Sequence, residues 1–149
     1  MRAIIQRVSQ ASVTIDNRIY SEISEGFLVL LAVSTEDEDK DLDYILDKVI
    51  HMRIFTDEND KMNKSILDVD GQILVVSQFT LYGDVRKGRR PSFTDSAKHD
   101  KATHYYEKLV EKLKEHIEVV KTGVFAADMK VALVNDGPVT IQLDSSKIY

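Results

Sequence analysis

The stretch Gly26–Val33, with the sequence GFLVLLAV, decides the fold class. A glycine opens it, and seven apolar residues follow without a polar interruption. Such a run is typical of a β-strand buried on both faces, which needs a further layer of structure on each side of its sheet. We therefore expect a layered fold with this strand inside a sheet.

Further strands are predicted on both sides of this run. They coincide with clusters of β-branched and other apolar residues: Ala3–Val8, Ala11–Ile15, Arg18–Ile23, Ile73–Val76, Val119–Val120, Val131–Val134 and Val139–Leu143. Asp16-Asn17 supplies a turn between the second and third of these strands.

Apolar residues at helical spacing predict two helices, from about Lys40 to Met52 and from about Asp95 to His116. Thr35, with Glu38 three residues later, fits a capping box ahead of the first helix. The order of elements indicates an α/β fold of layered mixed β-sheets with two main helices. No repeat or flexible linker divides the chain, so residues 1–149 are expected to form a single domain.

Composition excludes several classes of protein. The 149 residues are 43% hydrophobic, which is enough for a core, and contain no cysteine. Disulfides, thiolate metal sites and cysteine nucleophiles are therefore excluded. The apolar run in Met1–Val8 is too short for a signal peptide, and no stretch approaches the ~18 apolar residues of a membrane span. We expect a cytoplasmic protein that makes no membrane contact.

The histidines and acidic residues show no metal-binding pattern. The four histidines, at positions 51, 99, 104 and 116, lack the spacing of metal ligands. The acidic turn Asp57–Asp60 lacks the glycine and the terminal glutamate of an EF-hand. Phosphate loops, dinucleotide glycine fingerprints and Gly-x-Ser-x-Gly elbows are also missing. We predict no metal and no cofactor, which leaves hydroxyl groups and backbone amides for any chemistry.

A basic turn stands out in an acidic chain. The net charge is −5, yet residues Arg86 to Arg90 include four cations, namely Arg86, Lys87, Arg89 and Arg90. A protein of this charge does not coat nucleic acid with its whole surface, so a polyanion would have to meet a local patch. The alternative is a solvated loop.

Polar side chains follow the predicted strand Ile73–Val76. Ser77, Gln78, Phe79 and Thr80 combine two hydroxyls, an amide and an aromatic ring. Strand ends often face a site, although polar residues can also simply end a strand while Phe79 enters the core. A nucleophilic Thr80 needs a base within hydrogen-bond reach, and the sequence identifies none. Thr80 is equally compatible with a positioning role.

The hexapeptide Asn135–Thr140, NDGPVT, places a Gly-Pro step between two strand-like runs. Proline removes a hydrogen bond from a strand ladder, and X-Pro is the common place for a cis peptide. The step therefore indicates shaped backbone that can turn its carbonyl groups outward. The alternative is a tight turn that leads into an ordinary edge strand.

Together these motifs resemble the bacterial and eukaryotic type of D-aminoacyl-tRNA deacylase. The similarity extends from Met1 to about Asp144 and rests on Ser77–Leu81, Arg86–Gly88, Arg90–Phe93 and Asn135–Thr140, with support from Gln6–Val8 and Lys61–Asn63. The resemblance implies a homodimer that hydrolyses the ester between a D-amino acid and the terminal adenosine of tRNA. Glycine mischarged on tRNA-Ala is implied as a further substrate, and the acceptor end of aminoacyl-tRNA, not DNA, as the partner.

The resemblance also implies roles for particular residues. Gly137-Pro138 would be cis and would reach into the partner subunit's pocket, where its carbonyl groups screen the chiral centre. An L side chain would then collide with backbone. Arg7 is expected to hold this segment.

The ester site and the nucleotide pocket are assigned in the same way. Ser77, Gln78, Phe79 and Thr80 are expected to line the ester site, where a backbone amide polarises the carbonyl. Phe125 and Met129 correspond to the adenosine pocket, and the basic turn to tRNA contact. The family is thought to use a ribose hydroxyl of the tRNA for catalysis.

Two positions depart from the family pattern, and two other functions stay open. Ala126 stands where glycine is expected, and Gly83 stands where alanine is usual.

One alternative function is that of a nucleic-acid-binding dimer without catalytic activity that uses the basic turn. The other is a hydrolase of a different small ester or amide that acts through Thr80.

Overall fold

The computed structural model describes residues 1–148. Its strands are β1 (Arg2–Ile15), β2 (Arg18–Ile23), β3 (Gly26–Ala32), β4 (Phe55–Thr56), β5 (Met62–Lys64), β6 (Gln72–Ser77), β7 (Val120–Thr122) and β8 (Lys130–Asp144). Its helices are α1 (Asp39–His51) and α2 (His99–Lys114), and a 3-10 turn, Phe79–Tyr82, follows β6. No helix within residues 1–148 is long and apolar enough to cross a membrane.

The main sheet is mixed, and its order is β2-β1-β3-β6-β7. β1 is antiparallel to β2, β3 and β8, whereas β3, β6 and β7 are parallel to one another. β4 and β5 form a separate two-stranded ribbon. The predicted α/β architecture, with mixed sheets and two main helices, is confirmed.

β3 is buried on both faces, as its apolar sequence predicts. Phe27, Val29 and Leu31 lie in the larger core, which also contains the buried faces of α1 and α2. Leu28 lies on the opposite face with Leu74 of β6. Each fully buried side chain of this size stabilises the fold by about 1.5–3 kcal/mol.

The sheet covers its own second face. The smaller core contains Val8, Ala11 and Val13 from the second half of β1, so no helix is needed there. The Ser21 hydroxyl of β2 donates to the Thr122 carbonyl of β7 at 2.7 Å. The two ends of the sheet therefore meet, and the curvature is nearly that of a barrel.

The predicted capping box at Thr35 and Glu38 is wrong. Glu38 itself caps α1, and its backbone amide donates to the Asp41 carboxylate at 2.9 Å. Thr35 lies in a loop, where its amide donates to the Asp95 carbonyl at 3.1 Å. The three-residue spacing is compatible with a capping box at Thr35 and Glu38 and with one at Glu38 and Asp41. The first is excluded because the Thr35 amide is bonded to Asp95 and is not available to Glu38.

The start of α2 is also displaced. α2 begins at His99 and not near Asp95. The Ala97 amide donates to the Val33 carbonyl at 2.8 Å, and Ser96 forms a bridge with Ser34. This extension of β3 holds the preceding residues in non-helical backbone.

The Gly-Pro step lies within one long strand. The two predicted strands at its sides are parts of β8, and the first two predicted strands are parts of β1. β8 pairs with β1 alone among the described strands, so it is an edge strand. Gln6 pairs with Thr140 and Val8 with Asn135, so the single residue Arg7 faces the four-residue segment Asp136–Val139. This segment, the Gly-Pro bulge, interrupts the ladder and is not a tight turn between strands.

Candidate active site

A cavity of about 630 Å³ opens beyond the ends of the parallel strands β3 and β6. Ser77, Gln78 and Phe79 line it together with Phe125 and Met129. The residues predicted for the ester site and those predicted for the adenosine pocket, which are distant in sequence, thus line one cavity. Thr80, which follows Phe79, is exposed and is not among the residues that line the cavity.

The 3-10 turn leaves two backbone amides unused. The Gln78 amide donates to the Leu31 carbonyl at 2.7 Å, and the first bond of the turn runs from the Leu81 amide to the Gln78 carbonyl at 3.2 Å. The amides of Phe79 and Thr80 lie between these two bonds, so the turn itself does not consume them. They can act as donors toward a bound carbonyl oxygen.

Phe79 and Thr80 are presented outward. The Phe79 side chain is 56% exposed, so the alternative that it enters the core is wrong. The Gln78 side-chain amide donates to the Thr80 hydroxyl. Thr80 is therefore oriented by an amide, which does not act as a general base.

Half-buried Arg2 and two buried carboxylates lie next to the end of the 3-10 turn. The Arg2 guanidinium donates to the Leu81 carbonyl at 3.0 Å and to the Asp144 carboxylate at 2.7 Å, and it lies 4.4 Å from the centre of the Tyr82 ring. Burial, together with the negative charges of Asp37 and Asp144, raises the pKa of the Tyr82 hydroxyl above its usual range. This cluster fixes the end of the turn.

Aromatic side chains build the opposite wall. The Phe125 ring contacts the His99 ring edge-on at 5.1 Å and the Tyr106 ring at 5.7 Å. The Tyr106 hydroxyl donates to the Val75 carbonyl at 2.9 Å, and burial raises its pKa. Ala126, next to Phe125, has a positive φ of 61°. That backbone conformation explains why glycine suits the position.

The Gly-Pro bulge lies outside the cavity of its own chain. Gly137-Pro138 is cis, and both residues are exposed. Buried Arg7 faces the bulge: its Nη1 donates to the Ile54 carbonyl at 2.6 Å, and its Nε lies 3.3 Å from Asp136 Oδ2. A Cβ at Gly137, where φ is +116°, would lie 2.9 Å from Arg7 Nη2. Arg7 therefore packs directly against the Gly-Pro step.

Asn135 closes the base of the bulge. In the amide orientation that gives every atom a partner, it donates to the carbonyls of Arg7 at 2.9 Å and Val139 at 3.0 Å. It also accepts from the Thr140 hydroxyl at 2.9 Å. Sequence reasoning did not assign this role, although an Asn that starts an irregular segment is a recognisable signal.

The basic turn is closed by two backbone hydrogen bonds between Asp84 and Ser92, at 2.8 and 2.9 Å. Arg86 donates two bonds to the Asp84 carboxylate, at 2.9 and 2.8 Å, and this interaction lowers the pKa of Asp84 to about 2. Within residues 1–148, the exposed side chains of Lys87, Arg89 and Arg90 form no ion pair. Three of the four predicted cations are thus available to a ligand.

Comparison with known proteins identifies the family. The model of the D-Tyr-tRNA(Tyr) deacylase family matches residues 4–144. The chain belongs to this family. The resemblance read from the sequence is confirmed, and so is the expectation of a hydrolase of the D-aminoacyl-tRNA deacylase class.

Relatives within this deacylase family match over the full chain. Proteins of Clostridioides difficile (strain 630) and Kosmotoga olearia, both named D-aminoacyl-tRNA deacylase, are each 55% identical over 149 residues, which is 100% of both chains. A solved structure described as c-Myc DNA Unwinding Element Binding Protein is 41% identical, with a TM-score of 0.92 over 97% of this chain and 98% of that one. A probable eukaryotic D-amino acid tRNA deacylase, 18% identical, shares the fold, with a TM-score of 0.82 over 95% and 97% of the two chains.

Two further residues of the candidate active site were not predicted from the sequence. Phe93 and His99 both line the cavity. Phe93 stands in one of the quoted motifs, but only the fold shows that its ring reaches Phe79. Within residues 1–148, no group of three or more His, Asp or Glu side chains is arranged to hold a metal ion.

Proposed function

We propose that this deacylase hydrolyses the ester that joins a D-amino acid to the terminal adenosine of tRNA and releases the free amino acid and the tRNA. The observation that carries this proposal is the convergence of Ser77, Gln78 and Phe79 with Phe125 and Met129 around one cavity of about 630 Å³. That volume suits an aminoacyl-nucleoside, because small-molecule sites span roughly 300–1,000 Å³.

The two walls suggest how the substrate lies. The adenine base stacks on Phe125, as an unpaired base does on an aromatic ring. The ester carbonyl then points to the 3-10 turn, where the amides of Phe79 and Thr80 are not used by the turn. These donors stabilise the negative charge that develops on the carbonyl oxygen.

Hydrolysis then proceeds by addition of water. A water oxygen bonds to the ester carbonyl carbon, the tetrahedral intermediate forms, and the bond from that carbon to the ribose oxygen breaks. The ribose oxygen takes up a proton, and the carboxylic acid leaves. We assign activation of the water to the adjacent ribose hydroxyl of the tRNA, because the only side chain bonded to the Thr80 hydroxyl in the described structure is the Gln78 amide.

Selection of the D enantiomer is assigned to the Gly-Pro bulge. We propose a homodimer in which the bulge of each subunit reaches the cavity of the other. Exposure of Gly137 and Pro138, and their position outside their own cavity, support this arrangement. An L side chain would meet rigid backbone, whereas glycine has no side chain to reject. Glycyl-tRNA mischarged on tRNA-Ala is therefore proposed as a second substrate.

The basic turn is proposed to contact tRNA phosphates through Lys87, Arg89 and Arg90. Contact with tRNA would place the protein in the cytoplasm. The same turn suits the alternative of a nucleic-acid-binding protein without catalysis, and the 41% identical structure is described as a DNA unwinding element binding protein. The cavity that joins the ester-site residues and the aromatic wall favours the deacylase.

Deacylation of matched D-, L- and glycyl-tRNA by the purified protein tests the proposal. We expect rapid release of D-amino acid and glycine and an intact L-aminoacyl-tRNA. Tight tRNA binding with no turnover would favour the binding protein. Equal turnover of a small ester that lacks the nucleotide would favour the other hydrolase.

A further inference from the structure

The basic turn and the candidate ester site share an aromatic contact. Phe93, at the end of the turn, packs edge-on against Phe79, with ring centres 5.0 Å apart and an interplanar angle of 69°. Within residues 1–148 this is the only ring contact of Phe79. Because more than half of the Phe79 side chain is exposed, Phe93 provides much of what holds that ring in place.

Phe93 is also tied to the backbone of both elements. The neighbouring Ser92 is held by the two backbone bonds to Asp84 that close the turn. A Cβ built on Gly83 would lie 3.1 Å from Phe93 Cε1 and 3.0 Å from the Thr80 carbonyl oxygen. The ring therefore lies beside the junction between the 3-10 turn and the basic turn.

We propose that Phe93 is a positioning residue that couples phosphate binding at the basic turn to the orientation of Phe79 in the site. The proposal rests on the proposed function, in that the phosphates are those of the tRNA substrate. Phosphates drawn to Lys87, Arg89 and Arg90 displace a turn whose stem is closed by two hydrogen bonds. The stem moves as a unit, and Phe93 transmits the displacement to Phe79.

Kinetics on two substrates test the coupling. D-aminoacyl-tRNA carries phosphates, whereas D-aminoacyl-adenosine has the same ester without them. We expect Phe93→Ala to lower kcat/KM for the tRNA substrate by about two- to tenfold, the range for an aromatic pair, with a much smaller loss for the nucleoside. Phe93→Tyr, which keeps the ring, should restore activity. Equal losses on both substrates would show that Phe93 only packs locally and would overturn the proposal.

A double-mutant cycle gives a second measurement. Lys87→Ala/Arg89→Ala/Arg90→Ala should lower kcat in the wild-type background and have little further effect on kcat in Phe93→Ala, because the route is already broken. Arg18→Ala/Lys114→Ala/Lys121→Ala removes three exposed charges elsewhere and serves as the matched control. If the two sets of substitutions change kcat independently, so that their effects multiply, the coupling is contradicted. The melting temperature of each variant shows whether a loss of kcat comes from unfolding.

A binding experiment separates this proposal from the proposed function. The probe is tRNA that lacks its single-stranded 3′ end, so that nothing enters the cavity. Titration should shift the NMR signals of the Phe79 ring in the wild type but not in Phe93→Ala. If these shifts occur without turnover of any D-aminoacyl ester, the coupling stands and the deacylase proposal fails. If D-aminoacyl esters are hydrolysed but the Phe79 signals do not shift, the deacylase proposal stands and the coupling fails.

Discussion

Arg7 and Asp136 meet across a mismatch in the strand ladder, with Arg7 Nε 3.3 Å from Asp136 Oδ2. One residue of β1 faces four residues of β8 at this point. A second register shift follows between Val8 and Gln10, and Ala11 beyond it lies in the smaller core together with Val8. The Gly-Pro bulge and the buried Arg7 guanidinium therefore act together to place the Gly-Pro step outside the strand ladder.

Gly137→Ala should abolish selective D-aminoacyl-tRNA hydrolysis. The new Cβ would lie 2.8 Å from Val139 Cγ2 and 2.9 Å from Arg7 Nη2, at a φ of +116° that disfavours L side chains. We expect a stability loss of about 1–3 kcal/mol from the strain. Gly88→Ala is the control for stability, because φ is +97° there but no atom lies within 4 Å. Equal stability losses in the two variants, with selectivity intact, would contradict the role of the bulge.

Arg7→Lys should reduce D-substrate turnover although the charge is kept. A guanidinium reaches the Ile54 carbonyl and the Asp136 carboxylate together, whereas one ammonium cannot reproduce that fork. Steady-state kinetics on D-aminoacyl-tRNA measure the effect. Arg53→Lys is the matched control, since exposed Arg53 also donates to a backbone carbonyl, that of Asn63, at 2.9 Å. Unchanged kcat in Arg7→Lys would argue against a positioning role for Arg7.

Thr80→Ala should retain substantial turnover. Its hydroxyl is bonded to the Gln78 amide, and within residues 1–148 no general base is bonded to it, so loss of the hydroxyl removes a positioning contact and not a nucleophile. Wild-type enzyme should instead act very slowly on D-aminoacyl-tRNA that ends in 2′-deoxyadenosine. An inactive Thr80→Ala variant, together with an acyl group trapped on Thr80 of the wild-type enzyme, would establish the opposite mechanism.

Replacing Lys87, Arg89 and Arg90 with alanine should lower the affinity for tRNA and make that affinity less dependent on salt concentration. At about 0.7–0.9 per phosphate, the slope of log K against log salt falls by roughly 2–3. Adding Arg86→Ala should change the slope little, because Asp84 holds Arg86. The pKa of Asp84 is about 2, so its carboxylate stays charged at neutral pH, and the pair is lost only in strong acid as pH falls through that value. An unchanged slope in the triple variant would exclude the patch.

Ala126→Gly should stabilise the protein by about 0.5–1 kcal/mol. The positive φ of 61° costs alanine roughly 1–2 kcal/mol, and the greater freedom of glycine in the unfolded chain offsets part of the gain. Ala127→Gly, one residue further, is the control and should destabilise. Urea unfolding midpoints measure both changes. A less stable Ala126→Gly variant would mean that the Ala126 methyl group contributes more by packing than its backbone costs.

Elements with a strong local signal could be predicted from the amino-acid sequence. The continuous apolar runs of β3 and β6 predicted buried strands, because such runs are unfavourable when either face of the strand contacts water. Helical periodicity located α1 and α2, and Gly137-Pro138 marked the interruption of β8, since proline cannot continue a ladder. The motif residues 77–80 and 135–140 also carried the family resemblance, which the full-length relatives confirmed.

Contacts between residues that are distant in sequence could not be predicted and depend on the folded chain. Nothing local to Phe125 places it across a cavity from Ser77, and nothing local to Phe93 turns its ring toward Phe79. The cap of α1 moved from Thr35 to Glu38 because Asp95, sixty residues away in sequence, engages the Thr35 amide. Such contacts depend on strand register and on how the sheet curves, and these follow from the packing of the whole core and not from the spacing of any one segment.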